Sequence, residues 1–156
     1  MSSFLILGLF ALSAGKHVVT SRPAPNSDKT TSHILYGTSL KLTDQTLVPA
    51  ELRVWALKST PILPDDTVVF LLAKACSPAD ATAGTVLLDS LVMQAFPGDP
   101  DSESYDDHLP DGLVPWAIAI GRTLSQTRPL GDGVSKGFEI TVSEYVRDEA
   151  RQSGLQ

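Results

Sequence analysis

The chain has 156 residues, of which 42% are hydrophobic and 19% are charged. This length and composition fit one globular domain with a buried core, and they exclude an intrinsically disordered chain. The net charge of −6 is unevenly distributed along the chain. Residues 1–64 hold three acidic and six basic residues, residues 65–112 hold ten acidic residues and one basic residue, and residues 113–156 hold five of each. An acidic middle argues against broad, nonspecific nucleic-acid binding, but a basic groove built from the two flanking segments stays open.

The first notable segment is an apolar run at residues 4–14. It is too short to span a bilayer as a helix, so no membrane insertion is expected. As a signal peptide it lacks a preceding positive charge, and cleavage after Ala14 would put Leu12 where a small residue is needed. We therefore expect a buried strand that runs on towards Lys16, with a cleaved signal peptide as the alternative. The single cysteine, Cys76, permits no intrachain disulfide, which favours an intracellular location over secretion.

Short strands separated by turns follow in chain order. Prolines and small polar residues predict an exposed loop at residues 22–28, and apolar alternation predicts a strand at residues 32–42. Residues 44–49 have the composition of a turn or one helical turn, and alternation predicts a second strand at residues 52–57. A third strand, largely buried, is predicted at residues 67–75.

A further apolar strand is predicted at residues 85–96, after a small polar loop. Asp89 and Ser90 interrupt its apolar pattern, which predicts a bulge or bend there. Residues 97–112 have no strand or helix pattern, and a loop of this length inside a domain is usually functional or mobile. We interpret this segment as an acidic loop or a linker.

The C-terminal part carries two more predicted strands, at residues 116–120 and 138–142, with turn chemistry at residues 130–137 between them. Residues 147–156 are polar and predict a frayed end or a short helical tail. Residues 113–156 are therefore interpreted either as a late hairpin that closes a barrel or as the start of a truncated second module.

Two predicted hairpins resemble parts of an OB-fold, the barrel that binds oligonucleotides or oligosaccharides. Residues 64–75 with residues 84–91 resemble its closing strands, and residues 116–124 with residues 137–145 resemble its opening hairpin. Gly121 sits where that family needs a glycine for sharp coiling. The order departs from the family pattern, because the opening-type hairpin comes last.

This resemblance, together with the strand count, gives the expected fold. It is a mainly β chain that forms one small antiparallel OB-like β-barrel over residues 1–156, with long loops and little helix. The resemblance also implies single-stranded nucleic acid as a ligand.

No catalytic signature is specific enough to define an enzyme. Residues 133–137 match the pattern G-x-S-x-G, but that motif needs a strand before the serine and a helix after it. A turn-rich loop precedes this serine and a strand follows it, so we predict a hairpin turn. His17 and His33 stand alone on predicted strands without the spacing of a zinc site, and no cofactor is predicted.

The acidic loop contains candidate metal ligands, because clustered carboxylates bind Ca²⁺ or Mg²⁺. Their spacing fails the EF-hand pattern, since Ser104 stands where the loop glycine belongs, and a solvated acidic loop is the simpler interpretation. The alternative function is a small enzyme, metal-dependent or metal-free, that uses the loop around Asp106, Asp107 and His108. The candidate metal ligands are Asp99, Asp101, Glu103, Asp106 and Asp107.

A nucleic-acid face is a second candidate site, because bases stack on exposed aromatic rings while Lys and Arg bind phosphates. Arg53 and Trp55 lie on one face of the same predicted strand. The simpler interpretation places Trp55 in the core and the basic residues on an ordinary surface. The candidate residues are Tyr36, Arg53, Trp55, Arg122, Arg128 and Lys136. We therefore predict a non-enzymatic binding module that binds a protein partner or a second copy, with single-stranded DNA or RNA as the more specific alternative.

Overall fold

Strands dominate the computed structural model, which describes residues 2–21, 30–77, 84–110, 114–123 and 126–155. Within these ranges there are twelve strands and one short 3₁₀-helix, so the expectation of a mainly β chain with little helix is confirmed. None of the helical segments in the described ranges has the length and apolar character needed to cross a membrane. The predicted loop at residues 22–28 lies outside the described residues.

The strands, in chain order, have these bounds: β1 Ser3–Ala11, β2 Ser13–Ser21, β3 Thr30–Lys41, β4 Leu47–Trp55, β5 Val68–Cys76, β6 Val86–Ala95, β7 Trp116–Ile120, β8 Arg122–Thr123, β9 Arg128–Pro129, β10 Lys136–Gly137, β11 Ile140–Val146 and β12 Glu149–Leu155. The 3₁₀-helix covers Asp106–His108.

Seven of these strands form one sheet in the order β2-β3-β4-β6-β5-β1-β7. The β4–β6 pair is parallel, and every other pair in this sheet is antiparallel. The ladders of the described strands end at β2 and β7, so they do not close into a barrel. A three-stranded sheet, β12-β11-β8, and the small β9–β10 ladder complete the described structure.

The large sheet is strongly curled, because β1 and β2 are consecutive in the chain yet distant in the sheet order. Only Leu12 separates them. Leu12 is buried, and its N–H and C=O bond to the backbone of Thr67 and Asp66 at 3.0 and 2.8 Å. The Thr38 hydroxyl donates to the Ala11 carbonyl at 2.7 Å, which joins β3 to the end of β1. The predicted strand at residues 4–14 is thus confirmed as β1, with a bend at Leu12 where β2 begins.

The core lies on the inner side of this curl, because alternate residues of each strand point there. The residues of β1, β3, β4, β5 and β6 that are buried on this side are Phe4, Ile6, Phe10, Ile34, Tyr36, Leu40, Ala50, Leu52, Val69, Leu71, Ala73, Ala75, Val86 and Leu88.

The predicted interruption of the second apolar strand is confirmed as a β-bulge in β6. Leu72 of β5 faces Val92, whereas the next residue, Ala73, faces Ser90, so Leu91 is the extra residue. The predicted turn at residues 44–49 is shorter than expected, because β4 already begins at Leu47.

The G-x-S-x-G segment forms the connection between β9 and β10, as its turn chemistry predicts. The Asp132 carboxylate accepts backbone N–H groups from Val134 and Ser135 at 3.0 and 2.8 Å. Gly133 has a φ of +69°, a conformation that glycine adopts without strain.

The C-terminal segment departs from its predicted pairing. β7 pairs with β1, and the expected hairpin between residues 116–124 and 137–145 is limited to the two pairs that β8 forms with β11. The helical interpretation of the tail is wrong, because residues 149–155 form β12 against β11. The two strands are joined at Arg147 and Asp148, whose φ angles of +58° and +64° are those of a tight two-residue hairpin turn.

Gly121 lies where the chain leaves the large sheet and enters the three-stranded sheet. A Cβ atom at this position would lie 2.5 Å from the Thr141 carbonyl oxygen and 2.5 Å from the Ile140 side chain. Only glycine therefore fits between β7 and β8.

We expect Gly121→Ala to lower the free energy of unfolding by about 1–3 kcal/mol, the usual cost of overpacking, because the backbone of β11 would have to move. Gly131→Ala is the matched control, since its added Cβ would meet nothing within 4 Å. Urea denaturation of both variants measures the difference. Equal stability of the two variants would contradict the close approach of β11 to Gly121.

Candidate functional site

Tyr36 belongs to the core and not to a nucleic-acid face. It is 2% exposed, and its hydroxyl oxygen accepts the backbone N–H of Leu63 at 3.0 Å. A ring in this position cannot stack on a base. The sequence already indicated a buried position for Tyr36, because alternate residues of a strand point to the same face and Tyr36 is four residues before the apolar Leu40.

Arg53 is held by carboxylates. Its Nε and Nη2 donate to the two oxygens of Asp89 at 2.9 and 2.7 Å, and its Nη1 donates to Asp148 at 2.6 Å. Burial alone lowers the pKa of Arg53, but the hydrogen bonds from both carboxylates raise it above its ordinary value. A phosphate would have to displace one of these carboxylates to reach the guanidinium.

The remaining candidates for nucleic-acid binding are exposed but are spread over different elements. Trp55 ends β4 and is 66% exposed, so it does not lie in the core, where the simpler interpretation of the sequence placed it. Arg122, Arg128 and Lys136 lie on β8, β9 and β10, outside the large sheet that carries Trp55. The six candidates therefore do not share one face.

The acidic loop is fixed at its centre by an aromatic residue. Tyr105 is buried, its hydroxyl oxygen accepts the Val68 N–H at 3.0 Å, and its ring lies over Gly98. The side chains of Asp99, Asp101, Glu103, Asp106 and Asp107, and that of His108, all point to solvent. Across the described ranges, no group of three or more His, Cys, Asp or Glu side chains is arranged to hold a metal ion.

A charged cluster docks the turn of the β11–β12 hairpin on the outer side of the large sheet. Besides binding Arg53, Asp89 accepts the backbone N–H of Arg147 at 2.9 Å. The Arg147 guanidinium donates to the carbonyl and the carboxylate of Glu51 at 2.9 and 3.0 Å. Residues distant in the chain thus hold one hairpin against β4 and β6, and we call Glu51, Arg53, Asp89, Arg147 and Asp148 the charged cluster.

His33 lies beside the charged cluster, directly opposite Trp55 in the β3–β4 ladder. It is buried, and its Nδ1 has no hydrogen-bond partner within the described part of the chain. Burial, followed by the positive charge of Arg53, lowers the pKa of His33. This ring is therefore neutral at physiological pH.

A second ionic contact holds β11 itself. The Glu144 carboxylate accepts the Lys74 ammonium at 3.0 Å and the Ser3 hydroxyl at 2.7 Å. Burial raises the pKa of Glu144, but the hydrogen bonds from Ser3 and Lys74 outweigh that effect and keep it below its ordinary value. The three-stranded sheet is thereby fixed over β1 and β5 and covers one half of the outer side.

The other half of the outer side is apolar and is not covered by the three-stranded sheet. Directly opposite residues of neighbouring strands share a face, and the register places Trp116, Leu7, Leu72 and Val92 in one row across four strands. Leu9 lies opposite Phe70 in the next row. We call this surface the apolar face, and it consists of Leu7, Leu9, Phe70, Leu72, Val92, Trp116, Ile118 and Ile120.

The apolar face ends at β7, which is an edge strand. Trp116, Ile118 and Ile120 all point outward and are exposed, Trp116 by 69%. None of the described strands pairs with the far side of β7. Next to this strand, Leu9, Phe70, Phe96 and Trp116 border an apolar hollow of about 400 Å³.

No protein-family model matches the chain, and neither a curated protein nor a solved structure matches it.

We expect Arg53→Ala to lower the free energy of unfolding by about 3 kcal/mol, because it leaves Asp89, which is largely buried, without its bidentate partner. Trp55→Ala, on the same strand face, should change it by less than about 0.5 kcal/mol, since the ring is exposed. Urea denaturation with a far-UV signal measures both. A Trp55 variant as unstable as the Arg53 variant would contradict the assignment of Arg53 to the charged cluster.

Proposed function

We propose that this chain is a non-enzymatic binding module that associates with protein through the free edge of β7 and the adjoining apolar face. The observation that carries the proposal is the edge strand Trp116–Ile120, which presents three exposed large apolar side chains beside an edge with which none of the described strands pairs. An exposed apolar edge strand is a template for pairing with another strand unless charges, prolines or a covering segment block it. Within β7 there is neither a charged residue nor a proline.

A second copy of the chain is the partner that fits this edge best. An antiparallel pair of β7 strands centred on Ile118 would place Trp116 of each copy opposite Ile120 of the other. Such a pair is related by a two-fold axis, so one self-complementary surface suffices. It would continue the sheet from one copy into the other and bring the two apolar faces side by side.

Strand order supports a barrel interpretation of the scaffold, and we propose an OB-like barrel for β1 to β6. If β1 and β2 are taken as one strand bent at Leu12, the pairs β1–β5, β5–β6, β6–β4, β4–β3 and β3–β2 form a continuous ring. The return of β5 to the side of β1 is the connection of a Greek key, and five such strands fit the partly open OB barrel.

Single-stranded nucleic acid and metal-dependent catalysis have weaker support. Two of the six candidate nucleic-acid-binding residues, Tyr36 and Arg53, form hydrogen bonds with other groups of the protein. The acidic loop lacks a convergent ligand set among the described residues, and Asp106, Asp107 and His108 point to solvent. Exposed Trp55 is the feature that keeps the nucleic-acid alternative testable.

The test is sedimentation velocity over a range of protein concentrations. We expect the wild-type chain to dimerise. Ile118→Lys should raise the dimer dissociation constant about tenfold or more, because it removes an isoleucine that the dimer would bury and places two lysines opposite each other. Val134→Lys is the control, since Val134 is also apolar and exposed, by 89% against 46% for Ile118, but lies in the β9–β10 turn.

Two results would contradict the proposal. One is a dimer that both lysine variants weaken equally, because the contact would then not involve β7. The other is a chain that stays monomeric at every concentration and binds labelled oligonucleotides in a manner that Trp55→Ala abolishes, because nucleic acid would then be the partner.

A further inference from the structure

A second apolar pocket opens at one end of the curled sheet, on its inner side. Its volume is about 370 Å³, within the range of small-molecule sites. Four parts of the chain meet there: β1 with Phe4 and Ile6, the end of β3 with Leu40, the start of β6 with Val86, and the start of β7. The pocket is thus continuous with the core, and Trp116 is the one residue of the apolar face that also lines it.

The pocket exists because β7 presents small side chains to this side. Ala117 lies opposite Ile6, and Ala119 lies opposite Phe4. Ala117 remains exposed although it borders the core, because no larger side chain fills the space beside it. An apolar guest would therefore contact Phe4, Ile6 and Ala117 without displacing any of them.

One charge stands at the rim. Lys41, the last residue of β3, is the only charged residue among the described residues that line the pocket. None of the ion pairs formed within the described ranges involves Lys41. An exposed ammonium beside an apolar pocket suits a ligand with an anionic head and an apolar tail.

We propose that this pocket binds a small monoanionic amphiphile, with its tail against Phe4, Ile6 and Ala117 and its head at Lys41. The proposal does not depend on the association through β7, because the pocket lies on the opposite side of the sheet. The ligand class follows from two properties of the described lining, its apolar body and the Lys41 ammonium at its rim.

The test uses straight-chain carboxylates as probes and Trp116 as the reporter, since Trp116 also borders the pocket. The chain has two tryptophans, so a Trp55→Phe background leaves Trp116 as the only one. We expect hexanoate, heptanoate and octanoate to change its emission saturably, with the dissociation constant falling about fourfold for each added methylene.

Two variants, each with a matched control, test the binding of the ligand's tail and the binding of its head separately. Ala117→Phe should abolish octanoate binding by filling the pocket, whereas Ile118→Phe, on the other side of the same strand, should preserve it. Lys41→Gln should weaken octanoate two- to fivefold at low salt and leave octanol unchanged, while Lys58→Gln should affect neither. Circular dichroism confirms that each variant is folded.

The proposal is overturned by any of three results. These are the absence of a saturable emission change with every carboxylate, octanoate binding that survives in folded Ala117→Phe, and a Lys41→Gln variant that loses octanoate and octanol equally.

Discussion

The contacts of Asp89 with Arg53 and Arg147 determine which half of the outer side of the large sheet is covered by the C-terminal hairpin. Asp89 binds the Arg53 guanidinium with both oxygens and also accepts the backbone N–H of Arg147. It therefore joins the centre of the sheet to the turn of the C-terminal hairpin. That turn places two non-glycine residues, Arg147 and Asp148, at positive φ, a conformation that costs about 1–2 kcal/mol for each residue. The charged cluster offsets this cost, since both turn residues belong to it.

The covered and uncovered halves of the sheet follow from that docking. Where the hairpin lies, Glu144 meets Lys74 and the outer side of the sheet is covered. Beyond the hairpin the same strands carry leucine, valine and phenylalanine, and the row from Val92 to Trp116 has no cover among the described residues. A surface of this kind is the usual mark of an interaction site. The proposed protein-binding role thus follows from what the hairpin leaves open.

Local sequence patterns predicted the positions of the strands more successfully than the pairing between them. Apolar runs placed β1, β5 and β6 correctly, and Asp89–Ser90 gave the bulge to within one residue, because both signals depend on neighbours in the chain. The last strand was missed, since its turn lacks the Asn-Gly or Asp-Gly signature of a tight hairpin and depends on side chains from β4 and β6. The partners of Arg53 were missed for the same reason: the carboxylates that bind it come from a parallel strand pair and a distant hairpin, and neither is visible in local periodicity. Tyr36 differs from these cases, because its parity with Leu40 already indicated the core.

Amide hydrogen exchange in β7, measured at high and low protein concentration, distinguishes a free strand edge from one that is paired with a second copy of the chain. If the free edge of β7 pairs with a second copy, those amides of Trp116–Ile120 that are not bonded to β1 should be protected at high concentration and exchange rapidly on dilution. The amides of β12, which also lies at the end of a sheet, should exchange at the same rate under both conditions. Exchange in β7 that is rapid and independent of concentration would contradict the association of two copies through this strand.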